Sequence, residues 1–379
     1  MKNEISILII GGGVAGLSIA NALAAKGYPS TVIERSKQNG EVDRGDVLHH
    51  SSIELIKKWG LYDEFFNFNP KIFYDFKILN NKGNLIFDFN LKNLDTPTCF
   101  TVLKHHEIEN FLEHSALKTG LVEIKRGEPV KELIIKNERV VGIKTPNKDY
   151  YADLTIIANG SKSKFVSQYF KTTPYFEYSL VFYNGCYKLV SKYDNCGYYV
   201  LGDKGNMILV PLPNNEMRIG IQFEKKQGMS KTDLFEIIKH RLSNFPIEKI
   251  EFLNGHIYSI TNSICPEWWI KGAVLVGDAA HTVHPAGGQG MNLALKDADT
   301  FVEMLSKYFE VEGLDSVCQR YSNIRKKEVE KVLKKTHILG TLGEFKHPLY
   351  CLLREKILLF CNKFLFLKRI IFKRIVNVE

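Results

Sequence analysis

Two hydrophobic periods alternate along the chain. Ile5 to Ile10 is a nearly unbroken apolar run, the pattern of a strand buried on both faces, and Val14 to Lys26 repeats its apolar positions at helical spacing. A second short strand, Ser30 to Ile33, ends at Glu34. Ser51 to Trp59 is helical in period, and Gly60 supplies the stop. "IFYDFKILN" and "LIFDFN" alternate apolar with polar residues about Asn80-Asn81-Lys82-Gly83, which predicts a hairpin with Phe73, Phe76, Phe87 and Phe89 in a sheet core. Residues 105–118 read as a helix, 121–145 as a small antiparallel meander, and "YYADLTIIANG" as a return to a buried strand. Residues 173–225 are strand-rich and aromatic, 231–243 helical, and 249–262 a strand. Ala273 to Val276 is again a buried strand, followed after a glycine-rich stretch by an amphipathic helix from Met291.

This is a β-α-β nucleotide-binding unit interrupted by antiparallel excursions, an arrangement that a plain NAD dehydrogenase does not need. At 379 residues the chain exceeds one ordinary core, so two closely packed domains are expected. The 45% hydrophobic and 25% charged content is that of a globular protein. A net charge of +9 suits an anionic cofactor or an acidic membrane surface; nucleic acid is set aside, because no binding motif accompanies the charge. The seven cysteines are odd in number and form no CxxC pair, so reduced thiols are expected, and no His/Cys group has metal-ligand spacing. The N-terminus goes straight into a strand without a cleavable signal, and no run of about eighteen apolar residues predicts a membrane span. The expected setting is cytoplasmic, as a monomer or homodimer.

The turn after the first strand, Gly11-Gly12-Gly13-Val14-Ala15-Gly16, satisfies GxGxxG. Gly11 permits the tight turn, Gly13 lets a pyrophosphate approach the backbone, and Gly16 lets the helix lie close to the strand. Glu34, about twenty residues on, is placed to grip a ribose hydroxyl pair. No second GxGxxG follows a strand, so one dinucleotide site is expected.

"LVGDAAHTVHPAGGQGMNLALKDAD" identifies the dinucleotide. The strand ending in Gly277-Asp278 sets a carboxylate near the phosphate turn, where a polyol such as ribityl can donate to it. Gly287, Gly288 and Gly290 let a flat ring lie on backbone amides, and the helix from Met291 aims its positive end at that ring. These features suit an isoalloxazine, hence FAD.

With these segments in place, the chain resembles the group A (p-hydroxybenzoate hydroxylase-like, UbiH-like) FAD-dependent monooxygenases. GGGVAG with Glu34, the ANG segment, and GDAAH…P…GQGMN are similar to that family's three FAD fingerprints, in order and across nearly the whole chain. "DRGDVLHHSSIELIKKWGL" resembles its loop and helix after the second strand. The implied fold is α/β: a Rossmann-type, GR2-like FAD-binding domain interleaved with an antiparallel-sheet substrate domain, plus C-terminal helices. Residues 1–70, 101–172 and 266–310 would form the FAD domain. The hairpin 71–100 and the sheet 173–265 would form the substrate domain, with 311–379 helical.

The resemblance also implies roles. Gly11, Gly13, Val14, Ala15, Gly16, Glu34, Arg35, Arg44 and His105 would hold the adenine dinucleotide end. Asn159, Gly160, Gly277 and Asp278 would lie along the cofactor, with Asp278 on the ribityl chain, and Val47 and Leu48 would lie near the flavin. Gly288, Gln289, Gly290, Met291 and Asn292 would follow the flavin. Asp46 would lie near the flavin, and Pro285 beside its reactive edge. Two departures stand out: Asn159-Gly160 replaces the family's Asp-Gly, as in tetracycline-inactivating members, and His105 replaces an arginine three residues before a helix position held here by Ile108. The electron donor is accordingly left open between NADPH, NADH and externally reduced flavin.

The implied reaction reduces FAD with NAD(P)H, adds O2, and transfers one oxygen from a flavin C4a-hydroperoxide to an aromatic or polycyclic, hydrophobic substrate. A base near a phenolic hydroxyl would help, and His49, His50, His281, His284 and tyrosines of the middle sheet are candidates. His284 beside Pro285 is the preferred active-site residue, with His281 assigned to the FAD loop. Alternatives are a geranylgeranyl reductase-like enzyme that saturates prenyl chains, a tetracycline-inactivating-type monooxygenase, or a binder without turnover. A flavin halogenase is disfavoured, because "PEWWI" lacks the WxWxIP spacing. The tail from Lys346 to Glu379 holds eight Lys/Arg against two Glu, a net charge of +6, with apolar residues at helical spacing. Two readings apply: a helix packed over the FAD domain with a solvated basic face, or an interfacial helix touching anionic lipid.

Overall fold

In a computed structural model the described residues are 5–40, 45–94, 98–170, 173–189, 195–202, 205–224, 231–243, 250–344 and 347–376. β1 (Ile7–Ile10), α1 (Val14–Ala25) and β2 (Ser30–Glu34) open the chain. β3 (Gly45–Leu48), α2 (His50–Lys58), α3 (Tyr62–Phe66), β4 (Lys71–Phe73), β5 (Asp75–Asn80), β6 (Leu85–Asn90), β7 (Phe100–Lys104) and α4 (His105–Lys118) follow. β8 (Val122–Arg126), β9 (Glu132–Lys136), β10 (Arg139–Lys144), β11 (Asp149–Tyr151), β12 (Leu154–Ile157) and α5 (Lys164–Tyr169) come next. The middle comprises β13 (Thr173–Leu189), β14 (Cys196–Leu201), β15 (Met207–Leu212), β16 (Glu216–Phe223), α6 (Lys231–Leu242) and β17 (Ile250–Ile264). The chain ends with β18 (Trp269–Ile270), β19 (Ala273–Leu275), β20 (His281–Thr282), α7 (Gln289–Gly343), α8 (Pro348–Asn362) and α9 (Leu365–Val376).

The continuous apolar strands assemble first. β19, β12, β1, β2 and β8 run parallel in that order, with β18 antiparallel at the edge. Every residue of β1 and β12 is buried, because α1, α4 and α7 on one side and the β9–β11 meander on the other cover the sheet. The alternating, aromatic strands build an eight-stranded sheet of order β20-β17-β13-β16-β15-β14-β5-β6. It is antiparallel apart from the β14–β5 pairing, so the predicted hairpin forms one edge of the large sheet. Phe87 and Phe89 are buried there as expected, with Phe76 half-buried, whereas Phe73 is buried in β4, outside the hairpin, in a separate three-stranded sheet.

The small β3-β7-β4 sheet joins the two bodies. Gly45 is required where they touch: a Cβ on it would lie 2.4 Å from the Leu212 side chain. Arg218 of β16 spans the join, donating to the Gly45 carbonyl at 2.6 Å and to Asn184 Oδ1 at 2.9 Å. The long helix α7 is broken at Gly313, whose φ is 77°. Arg139 clamps the far side of the break through both Asp315 oxygens, at 2.9 and 3.1 Å.

The tail departs from the first of its two expected readings. Its helices pack on the β5–β6 hairpin of the large sheet and not over the nucleotide-binding sheet. Phe372 is 1% exposed and stacks on Phe89, 4.6 Å between ring centroids, with Leu358, Cys361 and Ile371 beside it. Lys368 completes the dock on Asp88 at 3.0 Å.

Candidate active site

Four loops converge at the carboxyl ends of the parallel strands, where α/β sheets hold their ligands. The turn after β1 is limited by backbone at its two ends, Gly11 and Gly16. Gly11 has φ 108°, and a Cβ on it would lie 2.6 Å from the Ala158 carbonyl oxygen; a Cβ on Gly16 would lie 1.9 Å from the Gly11 oxygen. Gly13 caps α1 with no side-chain hydrogen bond, so the first-turn N–H groups of α1 are left to a ligand. The nearest atom to a Cβ there is a Glu109 oxygen at 3.6 Å, so the loop is open on that side. Such a cradle of amides at a helix N-terminus fits a pyrophosphate.

Glu34 closes the turn from the next strand. One carboxylate oxygen accepts the Gly12 N–H at 2.6 Å and the other the Ser36 N–H at 2.8 Å, which leaves lone pairs for a ribose diol. Arg35 is exposed beside it, and Arg44 lies outside the described residues. Asn159 follows β12 directly against Gly11, with Gly160 at φ 84°. His105, standing where the family has arginine, is flanked by two carboxylates: Nδ1 meets Asp46 at 2.6 Å and Nε2 meets Glu109 at 3.2 Å. Glu109 is also the nearest neighbour of Gly13, so His105 stands on the Gly13 side of the turn. Asp46, expected beside the flavin, turns its carboxylate to His105.

The loop after β19 is held by a buried charge cluster that the sequence did not reveal. Asp297 of α7 is fully buried and accepts from the Gly277 N–H at 2.9 Å, from His281 Nε2 at 2.8 Å and from Arg325 Nε at 2.7 Å. Burial alone would raise its pKa, but His281 and Arg325 outweigh that and hold the carboxyl below its ordinary range. Gly277, at φ 63°, sits on Ala15, and Asp278 beside it is exposed at the rim. The signal was present in the helical pattern: Leu293, Asp297 and Phe301 share one stripe, and an acid on an apolar stripe requires partners.

Gly287 and Gly288, at φ 82° and 61°, shape the approach to α7, and Gly288 caps it without a side-chain bond. Val47 lies against Gly288, whereas Leu48 is wholly in the core. Asn292 stitches the facing loops together. It accepts from His49 N and Ser52 Oγ at 2.9 and 2.7 Å, and donates to the Val47 and Gly288 carbonyls at 3.0 and 2.7 Å. Its amide is thereby committed to protein partners. Gln289 is buried, Met291 packs on the core, and a Cβ on Gly290 would meet the Val283 side chain at 3.9 Å.

Behind this loop is a small void of about 10 Å³, room for about one water, lined by Phe182, Tyr199, Asn206, Met207, Ile208, Gln222, His284, Pro285 and Ala286. Of the four candidate histidines only His284 lines it. His49 is buried at the start of α2 and His281 is bound to Asp297. Burial, then the neighbouring His337, lowers the pKa of His284 to about 3, and burial lowers that of His49 to about 4. Both rings are neutral at ordinary pH and are weak bases, so the expected general-base role does not suit them. Burial pushes the Tyr199 hydroxyl up to about 12.

Residues 4–336 match the family model described as "FAD binding domain", so the chain belongs to that family. Its class is that of the FAD-dependent monooxygenases. Among its relatives, the ubiquinone hydroxylase UbiM of Neisseria meningitidis is 24% identical over 100% of this chain and 86% of that protein. The squalene epoxidase erg1 of Aspergillus fumigatus is 26% identical over 80% of this chain and 67% of its own length. Among solved structures, the p-nitrophenol 4-monooxygenase PnpA of Pseudomonas putida superposes with a TM-score of 0.86 at 19% identity, covering 98% of both chains.

Proposed function

We propose that this protein is a cytoplasmic, NAD(P)H-dependent FAD monooxygenase that inserts one atom of O2 into an aromatic or polycyclic, hydrophobic ring held at Pro285. One observation carries the reading: the Gly277 turn, which leads into the glycine-shaped loop at Gly287–Gly290, packs on Ala15 of the amide cradle at Gly11–Gly16. The pyrophosphate would rest on the first turn of α1, the adenosine ribose on Glu34, and the ribityl chain on Asp278. The flavin ring would lie along Gly288–Gly290 at the positive end of α7. Bound FAD supplies the electron transfer to O2. Phe182, Met207 and Ile208 exclude water from the reacting edge, and neutral His284 offers an N–H without adding charge.

The proposal extends to the tail. Among the described residues no helix is long and apolar enough to cross a membrane. α8 instead turns Leu349, Leu352, Leu353 and Phe360 outward, interleaved with exposed Lys356 and Lys363. This face would rest on an anionic lipid surface, making the enzyme membrane-peripheral.

The activity is tested by loading the protein with FAD and following NADH and NADPH oxidation and O2 uptake with a panel of phenols and polycyclic compounds. Oxidation that jumps with one compound, matched by oxygen in the product, supports the reading. Substrate reduction without O2 uptake would indicate the prenyl-reductase alternative. Protein that cannot be loaded with FAD would sink both.

A further inference from the structure

One face of the eight-stranded sheet is shared by the Pro285 loop and the tail. At one end Phe182 and Gln222 meet His284, Pro285 and Ala286 around the one-water void. Cross-strand partners carry the same face from Ile208 through Tyr199 and Ile78 to Phe87, and there α8 and α9 cover it. Tyr199 and Ile208 belong to both ends: they line the void, and they pack against the cluster that holds Phe372. Arg354 of α8 stands close to this border. Burial raises the Tyr199 hydroxyl to about 12, and the Arg354 charge pulls it the other way.

Phe372 is where the tail reaches deepest. Its ring stacks on Phe89 and meets Phe76 and Phe100 edge-on, 5.8 and 6.3 Å between centroids. Phe100 in turn lies 6.0 Å from the ring of His49, whose N–H is held by Asn292, the side chain that also bonds the Gly288 carbonyl. Elsewhere the dock is shallow. No residue of α8 is buried, and the polar clasps, Lys368 on Asp88 and Arg369 on the Asn93 carbonyl, lie near the surface, where such bonds contribute little. With the tail docked, the space between Pro285 and the sheet admits about one water and no ring. Release would add Leu358, Ile371 and Phe372 to the apolar side chains that α8 already turns outward. A lipid surface that binds the released tail better than the docked one shifts the balance toward release.

We propose that α8 and α9 form a gate over the site, with Phe372 as its plug, and that an anionic lipid surface opens the gate by taking up the tail. Resting on the Pro285 wall as the substrate side and on α8 as the lipid-facing helix, this gate makes lipid contact a condition of access.

The Asp88 backbone N–H reports the gate, because it lies on the edge strand β6 and donates to Asn362 Oδ1 of α8 at 3.0 Å. Its hydrogen exchange is followed by mass spectrometry in FAD-loaded full-length protein, alone, with phosphatidylcholine vesicles, and with vesicles that also contain phosphatidylglycerol. Exchange is expected to quicken about threefold or more on the mixed vesicles only. In solution Phe372→Ala is expected to exchange fast without lipid. It is also expected to bind 2-naphthol, read from flavin absorbance, about tenfold tighter than the native protein, since a site that is mostly shut binds in proportion to its open fraction. Unchanged Asp88 exchange in native protein bound to mixed vesicles removes the lipid trigger. Fast exchange in Phe372→Ala with unchanged naphthol affinity shows that the tail shuts nothing. Either result overturns the proposal. Native protein that does not bind mixed vesicles counts against the membrane-peripheral reading, and Phe372→Ala in solution then decides whether the tail is a gate. Should that variant lose FAD, Phe372→Leu, a smaller loss at the same point, replaces it with the same two readings. Failure of the native protein to load FAD would instead count against the flavoenzyme reading itself.

Discussion

Asp297 is a single residue on which the site depends. Its three partners come from Gly277 in the loop after β19, from His281 and from the far half of α7. Replacing it with alanine leaves Arg325, 1% exposed, without its main counter-charge, and removing one partner of a buried pair costs about 3–5 kcal/mol. Asp297→Ala is expected to lower the melting temperature sharply and to release FAD on desalting. A variant that retains both would show that the Gly277 loop is held by packing alone.

The buried imidazoles give a pH dependence at the same scale. His49 and His284 take up a proton in the unfolded chain near the ordinary value of 6.5, but in the fold only near 4 and 3. Between those limits the unfolded state binds more protons, so stability is full above pH 6.5 and falls as the pH drops through that window. The loss is at most about 1.4 kcal/mol per pH unit for each ring. Thermal melts from neutral pH down to about 5 are expected to show this slope, and His49→Gln to remove about half of it; a flat native profile contradicts the assignment.

At the scale of elements, the strands and helices were largely legible. Their periods differ, and each unit ends in a glycine or polar turn that can be read directly. The backbone cradle was legible too, because Gly11 and Gly16 sit where any side chain would collide with a carbonyl. What was hidden is pairing between distant segments. Nothing local to "FKRIVNVE" says that Phe372 stacks on Phe89, and nothing near Gln222 says that it meets His284 across the sheet. Arg218 reaches the Gly45 carbonyl through a contact between elements over 170 positions apart, and spacing carries no trace of it. The tail's dock is testable in these terms. Phe372→Ala removes a buried ring worth about 3–5 kcal/mol in a well-packed core, which should exceed what holds α9 in place. Limited proteolysis is expected to clip the variant within α8 or α9 while FAD content stays near native. Resistance equal to the native protein would place the anchoring elsewhere.

The whole molecule presents an uneven surface. Of the 24 large hydrophobic residues exposed among the described residues, 11 lie between Leu349 and Ile370. Most of the other exposed ones are scattered and need no explanation, but a concentrated apolar face marks a contact. On the proposed membrane-peripheral reading, an anionic bilayer would take up the apolar side chains while its headgroups met the lysines, each worth about 1 kcal/mol near the surface. Native protein is therefore expected to sediment with vesicles of phosphatidylcholine and phosphatidylglycerol, weakly with phosphatidylcholine alone, and less as salt is raised. Leu353→Asp with Phe360→Asp, both outward, should abolish binding and leave FAD content and melting temperature unchanged. Native protein that ignores anionic vesicles, or that forms a dimer broken by the same double substitution, would assign the face to another copy of the chain and not to lipid.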